Sequence, residues 1–317
     1  MFFKSFGSND DFQFINGTKG QVWSLFSFKN TLFCGHDSGT FIINGSIANQ
    51  IFSGSGTWKF EPHLNGENFI LQGNYNGISV LEKKNNSWIY KNKIAGFNYS
   101  SKHFEIINNR DVFVSHEYKG IYKFSIDKSV SKAIGIYKFK SPAKGKNATL
   151  VKYNNFIYYA SKNGVFKLNT KTKQFVKDKS LSAIFHDDEY VTGKMIVDKS
   201  NKLWFFTKNY IHYYSSGKLS SELKRNSLPI PSSMTNSMPG YENIFQLSAT
   251  NYIIGTTDGF YILKNNDFKF NNYKVSIIGI TNNSINEKST NVSIQEEGSF
   301  DYDDNNLAFF FAVPEYD

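Results

Sequence analysis

Six times along this chain a run of aromatic and branched residues breaks at a polar turn and resumes as a second short apolar run. The turns read His36-Asp37-Ser38-Gly39, Asn74-Tyr75-Asn76-Gly77, Glu117-Tyr118-Lys119-Gly120, Ser161-Lys162-Asn163-Gly164, Thr207-Lys208-Asn209 and Thr257-Asp258-Gly259. Their last residues stand at 39, 77, 120, 164, 209 and 259, so the steps are 38, 43, 44, 45 and 50 residues. That is the period of a four-stranded propeller blade. The spacing predicts an all-β chain, a β-propeller of four-stranded antiparallel blades. Propellers host binding, signalling and catalysis alike, so function has to be argued from a site.

The 317 residues leave room for about seven blades of roughly 45 residues each. Six are clear repeats. Aromatics make up 17% of the chain, with 31 Phe and 19 Tyr, which suits half-buried pleated surfaces. The net charge is +9, from 36 basic and 27 acidic residues, yet the lysines are scattered. The densest stretches, Lys138 to Lys146 and Lys167 to Lys179, resemble neither a recognition helix nor a basic arm. Solubility and protection of outer strand edges account for them, and no direct nucleic-acid binding is expected. The single cysteine, Cys34, excludes a disulfide within the chain and reads as a small core thiol. Met1-Phe2-Phe3-Lys4 starts like a signal peptide, but Ser5 to Asp11 is polar, and no window of about 20 apolar residues occurs.

The first repeat shows the order of strands: Val22 to Phe26, Leu32 to Cys34, Phe41 to Ile43 and Ala48 to Phe52. Later repeats return it, down to Tyr252-Ile253-Ile254 with Phe260 to Leu263. A glycine at the end of the turn fits a backbone at positive φ, with Asn209 as the best non-glycine substitute. Two ends remain, Phe2 to Ile15 and Phe268 to Ile280, and the expectation is that they combine into a seventh, composite blade that removes the exposed edges. A six-bladed ring with an ordered N-terminal extension is the alternative. The propeller would thus span 1–280. Residues 281–304 are polar and read as a linker with at most one edge strand. Within 305–317, Leu307, Phe309, Phe311 and Val313 would share one strand face with nothing in the chain to cover it, as if a further domain began there.

Several stretches carry a likeness to a known group. They are Gly20-Gln21-Val22-Trp23-Ser24-Leu25, Cys34 to Phe41, Gly56-Thr57-Trp58, Gln72-Gly73-Asn74-Tyr75, Ser115 to Gly120, Gly240-Tyr241-Glu242-Asn243 and the segment 305–317. Together they resemble the sensor region of Bacteroidetes regulators built from two-component-regulator propeller repeats and a triple-tyrosine β-sandwich. The likeness is greater to flavobacterial LuxR-type regulators than to hybrid two-component sensors. It implies that 305–317 is the first strand of the triple-tyrosine module. It also implies a periplasmic module of an inner-membrane protein with a cytoplasmic output, a fragment of that longer protein, and a possible homodimer at full length. The repeats depart from the family pattern, and Asp198-Lys199-Ser200-Asn201-Lys202-Leu203-Trp204 comes nearest to it.

In a propeller the turns between second and third strands gather with the blade-opening loops around the channel mouth, where ligands usually bind. The turns would bring His36, Asp37, Asn74, Tyr75, His116, Glu117, Tyr118 and Asp258. The opening loops would add Trp58, His103, Tyr241 and Glu242. Such a set suits a small polar ligand, a sugar or peptide, or a partner protein. Neighbouring strand residues face opposite ways, so neither His36 with Asp37 nor His116 with Glu117 forms a metal site unless the turn bends it round. No metal, no cofactor and no catalytic residue is expected, since no nucleophile motif or metal-ligand spacing occurs. The reading is a non-catalytic sensor module of a signalling regulator; a propeller enzyme acting on glycans is the alternative.

Overall fold

The computed structural model describes residues 1–317 apart from 6, 64–67, 187, 217–221, 231–237, 265–274, 284–288, 295–296, 303–304 and 313–317. It divides into two units, Met1–Leu263 and Lys264–Asp317. In the first, each repeat is one antiparallel sheet whose strands are consecutive in the chain. Blade I comprises Val22–Phe28, Thr31–His36, Gly39–Asn44 and Ile47–Phe52. Blade II comprises Thr57–His63, Phe69–Asn74, Gly77–Lys84 and Ser87–Lys93. Blade III comprises His103–Ile107, Asp111–His116, Gly120–Ile126 and Ala133–Lys138. Blade IV comprises Thr149–Tyr153, Phe156–Ser161, Gly164–Asn169 and Gln174–Lys177. Blade V comprises Tyr190–Val197, Leu203–Thr207, Tyr210–Ser216 and Leu223–Pro229. Blade VI has three strands among the described residues, Asn243–Gln246, Asn251–Thr256 and Gly259–Lys264.

The middle strands read as continuous apolar runs because both faces of each sheet are covered by neighbouring blades. Phe33 and Phe60 belong to the core between blades I and II. Leu71 and Val80 share a core with Phe104 and Val114, joining II to III. Phe113 and Phe139 pack with Ile157 and Phe175, Tyr158 with Phe205, and Trp204 with Tyr252, carrying the same layering on to blade VI. Each such side chain contributes about 1.5 to 3 kcal/mol on burial. Cys34 is part of this interior, fully buried, and burial pushes its thiol up to about 11.

The turn glycines behave as the sequence predicts: Gly39, Gly77, Gly120, Gly164 and Gly259 all have positive φ. At Gly39 there is a second reason, since an added Cβ would lie 1.9 Å from the Phe52 carbonyl oxygen. Asn209 corrects the expectation. It is not among the positive-φ residues, and the register, with Phe206 opposite Ile211, puts Tyr210 in the glycine position. Asn209 instead donates from its backbone N–H and side-chain amide to the Glu189 carboxylate, which anchors the turn without left-handed backbone.

Among the described residues the two ends form separate sheets. Phe2–Phe3 pairs with Gln13–Phe14, and the following Ile15-Asn16-Gly17 docks on the outer hairpin of blade I through Asn16 N–H to Ser46 O and Ala48 N–H to Asn16 O, both 2.9 Å. Ile94-Ala95-Gly96 makes the same pair of bonds, 2.8 and 2.9 Å, to Ser131 and Ala133 of blade III after the last strand of blade II. Gly17 and Gly96 share φ +91. The N-terminal hairpin therefore stands as the outer half of a blade preceding blade I, and Phe12 meets Phe260 of blade VI at 6.4 Å.

In the second unit, Ser276–Asn282 lies between Thr290–Val292 and Leu307–Ala312. Among the described residues Ser276–Asn282 does not pair with the N-terminal strands as the composite blade required; its partner is the six-residue apolar segment Leu307–Ala312. The unit boundary follows Leu263, not residue 280, and Thr290–Val292 is an edge strand within the polar 281–304 stretch, where at most one edge strand was expected. The 307–312 segment has its partner in the chain, but its face is open, with Phe309 and Phe311 exposed. Val313 and all of 268–274 lie outside the described residues. No described helix is long and apolar enough to cross a membrane.

Candidate ligand site at the channel mouth

Register brings the site together. Ser24, Lys59, His103, Thr149 and Asn243 pair with Gly35, Gly73, Ser115, Ala160 and Gly255, each one residue before the end of its second strand. Lys194 precedes Met195, the partner of Phe205 in blade V. One residue earlier stand Trp23, Trp58, Lys102 and Glu242. These two tiers apart from Thr149, with Leu25, Gly240 and Tyr241, line a cavity of about 270 Å³. A neighbouring cavity of about 340 Å³ shares Trp58, Lys102, His103, Gly240 and Tyr241 and extends to Ser115, His116, Glu117, Tyr118 and Asn147.

One wall is aromatic. Trp23 and Trp58 have ring centroids 4.4 Å apart, Trp58 and Tyr75 5.0 Å, and Trp23 and Tyr241 5.9 Å. The Lys102 ammonium lies over Tyr241, 3.6 Å from its centroid, and 5.3 Å from that of Trp58. The indole N–H groups of Trp23 and Trp58 are buried without partners. Beneath the wall runs a charged network: Lys59 bonds Glu105 at 2.7 Å, and Lys152 reaches Glu61 at 3.0 Å, joining blades II, III and IV. Burial depresses Lys59, but Glu105 and Glu61 outweigh it and hold the ammonium above its ordinary range.

The upper lysines lack such partners and shift the other way. Burial, with the like charges of Lys102 and Lys59, brings Lys194 down to about 8, against the opposing pull of Glu242. Burial lowers Lys102 too, with Glu117 and Glu242 pulling back. His103 is held well below its usual value by burial and then by Lys194, Lys102 and Lys59. Glu242, raised by burial, accepts the Gly240 N–H at 2.9 Å, and Glu117 accepts that of Asn147 at 3.1 Å.

Six of the expected residues, Trp58, His103, His116, Glu117, Tyr118 and Tyr241, line one cavity, and Glu242 lines the adjoining one. Tyr75 stands behind Trp58, and Asn74 is buried, donating to Gly56 O and Thr57 Oγ1. His36 is only 1% exposed, edge-on to Phe41 and bonded to Ser38. Its turn does bend Asp37 round to the imidazole, yet neither lines the cavities, nor does Asp258. Among the described residues no three metal-ligating side chains gather. Trp23, Lys59, Lys102 and Lys194 belong to the site and escaped the sequence reading, because single lysines about 40 and 90 residues apart carry no local pattern.

Sheets layered around a lined mouth define a β-propeller. The fold of this chain matches the extracellular domain of BT4673 from B. thetaiotaomicron, described as a one-component system in one structure and as a hybrid two-component system in another. The TM-scores are 0.55 and 0.57, at 14% identity, covering 80% of this chain and 33% of that one. The chain thus spans about a third of the length of those domains. The Dos1 propeller also matches, with TM-score 0.51 at 10% identity over 78% of this chain and 68% of that one. No family model and no curated protein matches the chain.

Proposed function

We propose that this chain is the ligand-binding propeller of an extracytoplasmic sensor, a non-catalytic module of a membrane-anchored signalling regulator. The observation that carries the reading is the convergence of the opening strands of blades I, II, III, V and VI, with the loops before III and VI, on one aromatic and charged cavity. The likeness to extracellular domains of proteins described as one- and two-component systems supports it. In this reading the propeller lies in the periplasm, the sheet of the second unit opens a triple-tyrosine sandwich, and binding is passed through it to an output domain of a dimeric full-length protein. The ligand is small and polar, because Trp58 and Tyr241 offer stacking area while His116, Glu117 and Asn147 offer orienting groups. A thermal-shift screen of saccharides and short peptides tests this. Binders should lose their shift in Trp58→Ala and Tyr241→Ala; binders indifferent to both substitutions place the site elsewhere, and turnover of a glycan would overturn the non-catalytic reading.

A further inference from the structure

The balance of charge at the mouth is uneven. Lys59 is satisfied by Glu105 and the Phe104 carbonyl oxygen, both at 2.7 Å, and Lys152 by Glu61. Lys102 and Lys194 have no carboxylate within ion-pair distance among the described residues, although both line the same cavity. The two carboxylates nearest in influence, Glu117 and Glu242, are each engaged by a backbone N–H. Enclosed cations without partners are costly, and a fold that holds two of them beside an open cavity stabilises whatever anion enters. Lys102 lies over the Tyr241 ring, and the Trp23, Trp58 and Tyr241 rings add flat apolar surface on the same wall.

We propose that this cavity takes a carboxylate-bearing saccharide of the uronic-acid class, its carboxylate between Lys102 and Lys194 and its ring against the wall of Trp23, Trp58 and Tyr241. This rests on the channel-mouth reading and adds the charge of the ligand to it. A sugar presents a flat C–H face to the aromatics and hydroxyl groups to the polar side chains around them. The volumes of about 270 and 340 Å³ lie at the small end of ligand pockets and suit one or two rings. Lys102 and Lys194, depressed without an anion, regain their ordinary range when a carboxylate sits between them.

Calorimetric titration of the whole chain with glucuronate, galacturonate and digalacturonate, beside glucose and galactose, tests the inference. The acids should bind at least about tenfold more tightly than their neutral counterparts, and raised salt should weaken the acids alone. Lys102→Gln and Lys194→Gln should each weaken the acids by about tenfold, with unchanged circular dichroism; the salt dependence of the native chain gives the same answer if either variant misfolds. Neutral sugars binding as well as acids, through Trp58, would overturn the charge assignment and leave the site reading intact. Acid binding unaffected by Trp58→Ala would overturn both, and failure of every acid to bind at millimolar concentration would overturn the assignment.

Discussion

Asp198 is the residue whose removal the structure prices most directly. Its carboxylate accepts four hydrogen bonds: from Trp204 Nε1 at 2.8 Å, Tyr252 OH at 3.0 Å, Lys202 N at 2.8 Å and Ser200 N at 2.9 Å. Two are cheap to lose, because the turn backbone reaches water and Ser200 N also donates to Gln246 Oε1. The other two are not, since Trp204 and Tyr252 have no exposed surface. Orphaned buried donors cost about 1 to 3 kcal/mol each. Lys202 Nζ donates to Tyr252 OH at 3.1 Å and cannot take its proton, so Asp198→Ala orphans two buried donors and should destabilise by about 3 kcal/mol in total. That corresponds to roughly 6 to 12 °C in Tm for a unit of this size. Asp198→Asn should recover less than half, since an amide that serves the two backbone donors turns its own N–H groups on the indole. Urea denaturation of both, with Trp204→Phe and the double variant, measures the coupling. A loss under about 1 kcal/mol for Asp198→Ala, or strict additivity with Trp204→Phe, would refute the account.

Three further outcomes follow from the same structure. His212, 6% exposed and bonded to Thr207 and Ser227, is brought down to about 4 by burial and by Arg225. Its folded value lies below its unfolded one, so the unfolded chain binds more protons between them, and stability rises with pH through that window. Acidifying from pH 6.5 to 4.5 should therefore cost on the order of 2 kcal/mol, visible as a falling urea midpoint that His212→Gln flattens. Uronate affinity should fall as pH rises through about 8, where Lys194 loses its proton; Lys102, Lys59, His103 and Glu242 face it, and titrations at pH 7 and 9 compare the two states. Gly39→Ala, at φ +139 with the Phe52 oxygen in the way, should cost more than about 3 kcal/mol, whereas Gly45→Ala, at φ +58 in open space, should cost about 1, both read from thermal melts.

The blades were legible because short apolar runs and turn chemistry are local: strands such as Thr31–His36 and Gly39–Asn44 sit where Leu32 to Cys34 and Phe41 to Ile43 announce them. The ends were not. Whether Ser276–Asn282 pairs with Phe2–Phe3 or with Leu307–Ala312 depends on a contest between distant apolar segments, and no spacing in the chain ranks the contestants. Asn209 misled for a simpler reason. It occupies the place of Asn76 and Asn163, one residue before the glycine, and a turn anchored by Glu189 needs no residue at positive φ.

The site itself carried a signal that residue-by-residue reading passes over. Before the last residue of the second strand stands Gly35, Gly73, Ser115, Ala160 or Gly255. At the first two the reason is steric, since an added Cβ would come within 2.4 Å of Thr57 O and 2.0 Å of Ser101 O of the next blade. A small residue there lets the opening strand of the next blade cross close by, and the partner across the strand pair then faces the axis. Ser24, Lys59, His103, Thr149 and Asn243 are those partners. Packing at Gly35 and Gly73 thus demands glycine on the second strand and leaves the partners, Ser24 and Lys59, free to vary. Two of the cavity's charged or ionisable groups, Lys59 and His103, stand in that tier, while Lys194 comes from blade V, where Phe206 holds the equivalent place on the second strand, so the side chains of the tier can change while the ring that presents them stays the same.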